Sequence, residues 1–92
     1  MTPKKVAVLV RQNQSEALRV AGGLTLADHD VAVYVLDRSL ADTPEVEEQL
    51  EVLEFAEIEP INALSGEDGL GDRIDLATLA HRLPSYDAVL AI

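Results

Sequence analysis

Arg11-Gln12-Asn13-Gln14-Ser15 sets five hydrogen-bonding side chains in a row, directly after the apolar run Val6 to Val10. The run reads as a β-strand and Ser15 as the cap of a following helix. These side chains therefore stand at a helix amino terminus, where unpaired N–H groups and the positive end of the helix dipole favour an anion. Arg11 is the only full charge of the turn before Glu16. Asp37 closes a second apolar run, Val31 to Leu36, at the position where a nucleotide-binding fold keeps its ribose carboxylate. Binding of a small polar or anionic ligand by Arg11, Gln12, Asn13, Gln14, Ser15 and Asp37 is the chemistry this pattern implies. Any exposed strand-to-helix turn carries polar residues; what favours a site here is the location, at the carboxyl end of a central strand.

Other chemistries find less support in the sequence. The glycine-rich fingerprint of a dinucleotide fold is absent after the first strand, and a flavodoxin-type phosphate loop would want glycine and more hydroxyls than Ser15 alone. A response-regulator receiver needs carboxylates where Arg11 stands. With zero cysteines, disulfides, thiolate metal sites and persulfides on the protein itself are excluded. His29 lies between Asp28 and Asp30, but this turn leads into a strand and so sits at the opposite end of the sheet, where a histidine near a helix carboxyl terminus acts as a capping partner. Asp68, Asp72 and Asp75 do not match the spacing of an EF-hand loop. No nucleophile stands beside a base, since His29 and His81 both fall outside the expected crevice. No cofactor and no metal follow from these residues.

The elements that must position the turn are legible as alternating strand and helix patterns. Val6 to Val10 and Val31 to Leu36 are continuous apolar runs, the pattern of strands covered on both faces in a parallel sheet. Between them, Ala17, Val20, Ala21, Leu24 and Ala27 recur at the helical period. Gly22 and Gly23 interrupt that helix, which implies close approach to the sheet or to a second subunit. Thr43-Pro44-Glu45 starts a second helix with cap, first-turn proline and acid, leading to Val46, Leu50 and Leu53 on one face and a set of glutamates on the other. Ile58 to Leu64 is a weaker strand, placed at an edge by Pro60, which cannot donate to a ladder. Residues 65–72 read as a glycine-rich acidic loop. Asp75 then caps a third helix with Leu76, Leu79, Ala80 and Leu83 inward, Pro84 ends it, and Ala88 to Ile92 is the last strand. The fold expected is a three-layer α/β/α sandwich on a short parallel sheet of four strands, in the order 3-2-1-4, with right-handed crossovers.

Ninety-two residues suffice for one domain, residues 1–92. Its interior must be filled by aliphatic side chains, because 48% of residues are hydrophobic and only 3% aromatic. A four-stranded sheet leaves two edges and the last strand is apolar throughout, so a homo-oligomer is expected. The net charge of −10 is uneven: residues 1–40 hold five basic against four acidic groups, and the rest thirteen acidic groups against Arg73 and Arg82. Such a surface argues against nucleic acid or an anionic membrane as partner. The apolar run behind Lys4 and Lys5 is too short for a secretory or spanning segment, and the chain reads as cytoplasmic.

The segments Lys5-Val6-Ala7-Val8-Leu9-Val10, Glu16-Ala17-Leu18, Ala27-Asp28-His29-Asp30-Val31 and Tyr86-Asp87-Ala88-Val89-Leu90 together resemble the DsrE/DsrF-like family over most of the chain. The resemblance implies an α/β/α sandwich assembled as trimers or hexamers and, in some members, sulfur relay through a cysteine after a middle strand. Around Ala63-Leu64-Ser65, where that cysteine would fall, this chain has none. Two functional expectations follow. One is a DsrE-like homo-oligomeric accessory or small-ligand-binding protein, in the neighbourhood of sulfur metabolism but without the sulfur-carrying residue. The other is a small enzyme using Arg11, Asn13 and Asp37 at an intersubunit site.

Overall fold

Val6, Val8 and Val10 point to one side of the first strand and Ala7 and Leu9 to the other, and all five are buried. That two-sided burial follows from the layers around it. The computed structural model describes residues 3–63 and 74–92. In chain order these form β1 (Lys5–Val10), α1 (Gln14–Leu26), β2 (Asp30–Val35), α2 (Pro44–Phe55), β3 (Ile61–Asn62), α3 (Leu76–Arg82), a 3-10 turn (Leu83–Ser85) and β4 (Ala88–Ala91). The four strands make one sheet in the order β3-β2-β1-β4, all parallel. Lys5 to Val10 pair in register with Asp30 to Val35, and Val6 to Leu9 with Ala88 to Ala91.

Two cores lie on the two faces. On one, Val6, Val8, Val10, Val31 and Val33 pack with Ala17, Leu18 and Ala21 of α1 and Val46 and Leu53 of α2. On the other, Ala7, Leu9, Tyr34 and Ala63 pack with Leu79 of α3. Tyr34, 1% exposed, joins its hydroxyl to that of Tyr86 at 2.6 Å, with the rings edge to face at 84°.

Local chemistry explains most helix ends. Thr43 Oγ1 accepts from Val46 N–H at 3.3 Å and Asp75 Oδ1 from Thr78 N–H at 2.7 Å, so both expected caps are in place. The hydrogen bond from Thr78 holds the Asp75 carboxyl below its ordinary pKa. At the other ends, α1 and α2 stop in the same way. Asp28 (φ 66°) and Glu57 (φ 61°) adopt the left-handed conformation just past each helix. His29 N–H then returns to Leu24 C=O and Ile58 N–H to Leu53 C=O, the bonding of a Schellman motif built without glycine.

Several expectations need correction. Ser15 is not the cap of α1: the helix begins at Gln14, and Asn13 precedes it without any side-chain capping bond. The early start follows from Gln14, which is drawn inward as described below. The buried stripe of α1 is Gln14, Ala17, Leu18, Ala21 and Gly22, because α1 leans on α2 as well as on the sheet, while Ala27 is exposed because it is the C-cap, past the last helical residue. A Cβ at Gly22 would meet Val52 Cγ1 of α2 at 3.2 Å, so its close approach is helix to helix; at Gly23 nothing lies within 4 Å. β3 sits at the edge as expected but has only two paired residues, with Pro60 immediately before it. Of the inward set read for α3, only Leu79 is buried and Leu76 and Ala80 are exposed; a helix of seven residues presents one full rung to the sheet. Leu64, Ser65, Asp68 and Asp72 lie outside the described residues. Among the described residues, no helix is long and apolar enough to cross a membrane.

Candidate functional site

β1 and β4 are neighbours whose connections leave to opposite faces, α1 to one and α3 to the other, and an open parallel sheet forms its crevice at the carboxyl end of such a pair. Here that end is an open hollow of about 290 Å³, lined by Arg11, Gln12, Asn13, Ala91 and Ile92. Its floor is fixed by the backbone: Arg11 N–H donates to Ile92 C=O at 3.3 Å and Ile92 N–H to Leu9 C=O at 3.1 Å. The first turn of α1 follows at once, with Ala17 N–H closing the first helical bond on Asn13 C=O at 2.9 Å. Earlier N–H groups of the turn have no partner within the helix.

The loop after β2 completes the arrangement through a strained residue. Leu36 N–H continues the ladder to Val10 C=O, and Arg38 N–H then folds back on Leu36 C=O at 2.7 Å, closing a three-residue turn about Asp37 at φ 66°. This is the rarer hand of γ-turn, a conformation that costs a non-glycine residue free energy. It swings two side chains toward the α1 turn. Asp37 Oδ2 lies 3.4 Å from Arg11 Nε, both side chains about half exposed, and Arg38 Nη2 donates to Gln12 C=O at 3.1 Å. An exposed pair of this kind contributes about 0–1 kcal/mol, so it orients Arg11 more than it stabilises the fold.

Of the six side chains read from the sequence, Arg11, Gln12, Asn13 and Asp37 come together at the hollow or directly beside it. Ser15 is half-buried in the first helical turn. Gln14 is placed differently: it is 4% exposed, its Nε2 donates to Ser39 C=O at 3.0 Å and its Oε1 accepts from Ala41 N–H at 2.8 Å. Both ends of its amide are engaged in pinning the loop after β2 against α1. Glu16, the one acid of the first turn, is turned aside by Arg19, whose guanidinium bonds its carboxylate and lowers its pKa. Arg38 is the residue that the sequence reading missed; it follows Asp37 directly, and only the left-handed turn brings it back. His29 stands at the other end of the sheet, where its Nδ1 accepts from Lys4 N–H at 3.0 Å.

The result is a shallow hollow lined by one guanidinium, that of Arg11, and by the polar residues that open α1, with Asp37 and Arg38 on the loop beside it, an arrangement able to engage an anion or a polar group. Comparison with protein-family models, curated proteins and solved structures returns no significant match to the chain.

Proposed function

We propose that this chain is a homo-oligomeric, DsrE-like accessory protein that binds a small anionic or polar molecule at the Arg11 to Ser15 turn. The observation that carries the reading is the strained Asp37 turn, which brings Arg38 and Asp37 onto a loop already holding Arg11 and the start of α1. Backbone strain of this kind gathers at ligand sites, where the surrounding structure holds it in place. No nucleophile stands with a base in this turn, so binding rather than catalysis is what its groups support. Lacking cysteine, the chain has no residue to carry a persulfide.

The test is a binding screen of inorganic phosphate, nucleotides and small carboxylates, with each hit repeated on Arg11→Ala. A charge-assisted hydrogen bond contributes about 1.5–3 kcal/mol, so the variant should bind at least about tenfold more weakly. Equal binding, or a hit that maps to the His29 end of the sheet, overturns the site.

Self-association is part of the same reading. β4 is an edge strand with no charge and no proline, and all four of its residues are exposed, with Val89 on one face and Leu90 on the other. Sheet edges of this kind invite pairing unless something blunts them. Light scattering at micromolar concentration should give a multiple of the chain mass, a trimer or hexamer if the family resemblance extends to assembly. A monomer mass sinks it.

A further inference from the structure

Phe55 is 93% exposed and Leu26 81%, more than any other large apolar side chain among the described residues. Both lie at the carboxyl ends of helices. α1 and α2 each return from the carboxyl to the amino ends of parallel strands, so they run side by side in the same direction. Gly22 and Val52 mark where they touch. One turn further along each helix come Leu26 and Phe55, and Val52 itself is 40% exposed. The apolar positions thus share one end of the helical layer, opposite the end that holds Arg11.

Around Phe55 the surface is acidic. A hollow of about 370 Å³ is lined by Phe55 with Glu51 and Glu54. A second, of about 450 Å³, shares Glu54 and has Leu50, Ile58 and Pro60 beside Glu57 and Glu59. Neither helix has a basic residue in its last turn to offset the negative end of its dipole, and the two left-handed caps there are Asp28 and Glu57. A second copy of the chain would bring the same glutamates against these, and an anionic lipid surface would be repelled.

We propose that this end of α1 and α2 docks a basic amphipathic helix of another protein, its leucine or phenylalanine side chains over Val52 and Phe55 and its lysines or arginines against Glu51, Glu54 and Glu57. Apolar anchors ringed by complementary charge are how a groove takes such a helix.

The probe is a fluorescent synthetic helix of leucine and lysine, compared with its leucine and glutamate counterpart and with a scrambled leucine and lysine peptide that has no apolar face. The amphipathic basic peptide should bind best, more weakly as salt rises, with amide shifts at Leu26, Val52 and Phe55 and none at Arg11 to Ser15. Phe55→Ser and the double variant Glu51→Lys/Glu54→Lys should each lower its affinity about tenfold or more. Thermal melting of Phe55→Ser should match the parent, since the ring is outside the core. Saturating phosphate should leave peptide binding unchanged, which separates this surface from the Arg11 crevice. Equal binding of the three peptides, equal binding to the variants, or shifts at the Arg11 turn overturns the proposal. So does self-association of the protein that Phe55→Ser abolishes, because a second copy would then be the occupant.

Discussion

Tyr86 is a half-covered residue with a titration that reports on a buried one. Its phenol is pushed up from 10 to about 12, first by burial and then by the hydrogen bond to Tyr34, both of which favour the protonated form. Because the folded value is the higher one, this contribution to stability is complete below pH 10 and is lost as pH rises from about 10 to about 12. Denaturation midpoints should therefore fall across that alkaline window. Tyr86→Phe should flatten the fall and also destabilise the protein by about 1–3 kcal/mol at neutral pH, since the buried Tyr34 hydroxyl loses its partner. A chemical-denaturation series at several pH values measures both. At this scale the sequence was legible where a pattern broke sharply: Arg11 and Asp37 stand out because each ends a continuous apolar run. Gln14 was obscured by its polar type, although it falls on the 14-17-18-21 stripe that is buried. Arg38 was obscured because nothing in the linear chain announces that an aspartate will take the left-handed conformation.

The elements follow their patterns closely in the middle and depart from them at their ends. Strand order was recoverable because Pro60 marked one edge and the apolar runs marked the centre, while the extent of β3 was not, since two residues carry no period. Helix α1 shows what periodicity leaves out. Gly22 and Gly23 look alike in sequence, yet one abuts Val52 and the other faces open space. Gly23→Ala should raise stability by about 1 kcal/mol, the ordinary helix-propensity gain. Gly22→Ala should gain less, because Val52 must yield to a Cβ at 3.2 Å. Thermal or chemical denaturation of the two variants side by side checks this, and a larger gain at Gly22 would contradict the packing described. The exposed Leu26 and Phe55 were equally invisible to pattern, since a period identifies which face is apolar but not how far along a helix that face stays covered.

At the scale of the molecule, the two parallel helices give their layer two ends: their amino termini lie on the side of the Arg11 and Arg38 guanidiniums, with Glu45 and Glu47 in the first turn of α2, and their carboxyl termini on the side of Glu51, Glu54 and Glu57. Two unlike ends thus follow from one repeated β-α-β unit. The same topology also sets an order of events in time. β1 pairs on one side with β2, close along the chain, and on the other with β4; Lys4 and His29 are 25 residues apart, Lys5 and Asp87 82. Closing the longer loop costs more chain entropy and brings only a four-residue strand, so β1, α1 and β2 should form the folding nucleus and β4 should dock after the barrier is crossed. Stopped-flow kinetics should then separate two core valines and a leucine cleanly. Val8→Ala and Val33→Ala should slow refolding, whereas Leu90→Ala should leave refolding unchanged and speed unfolding. The last strand would thus be the first to leave, and the lifetime of the folded chain would be set by how long β1 keeps hold of it.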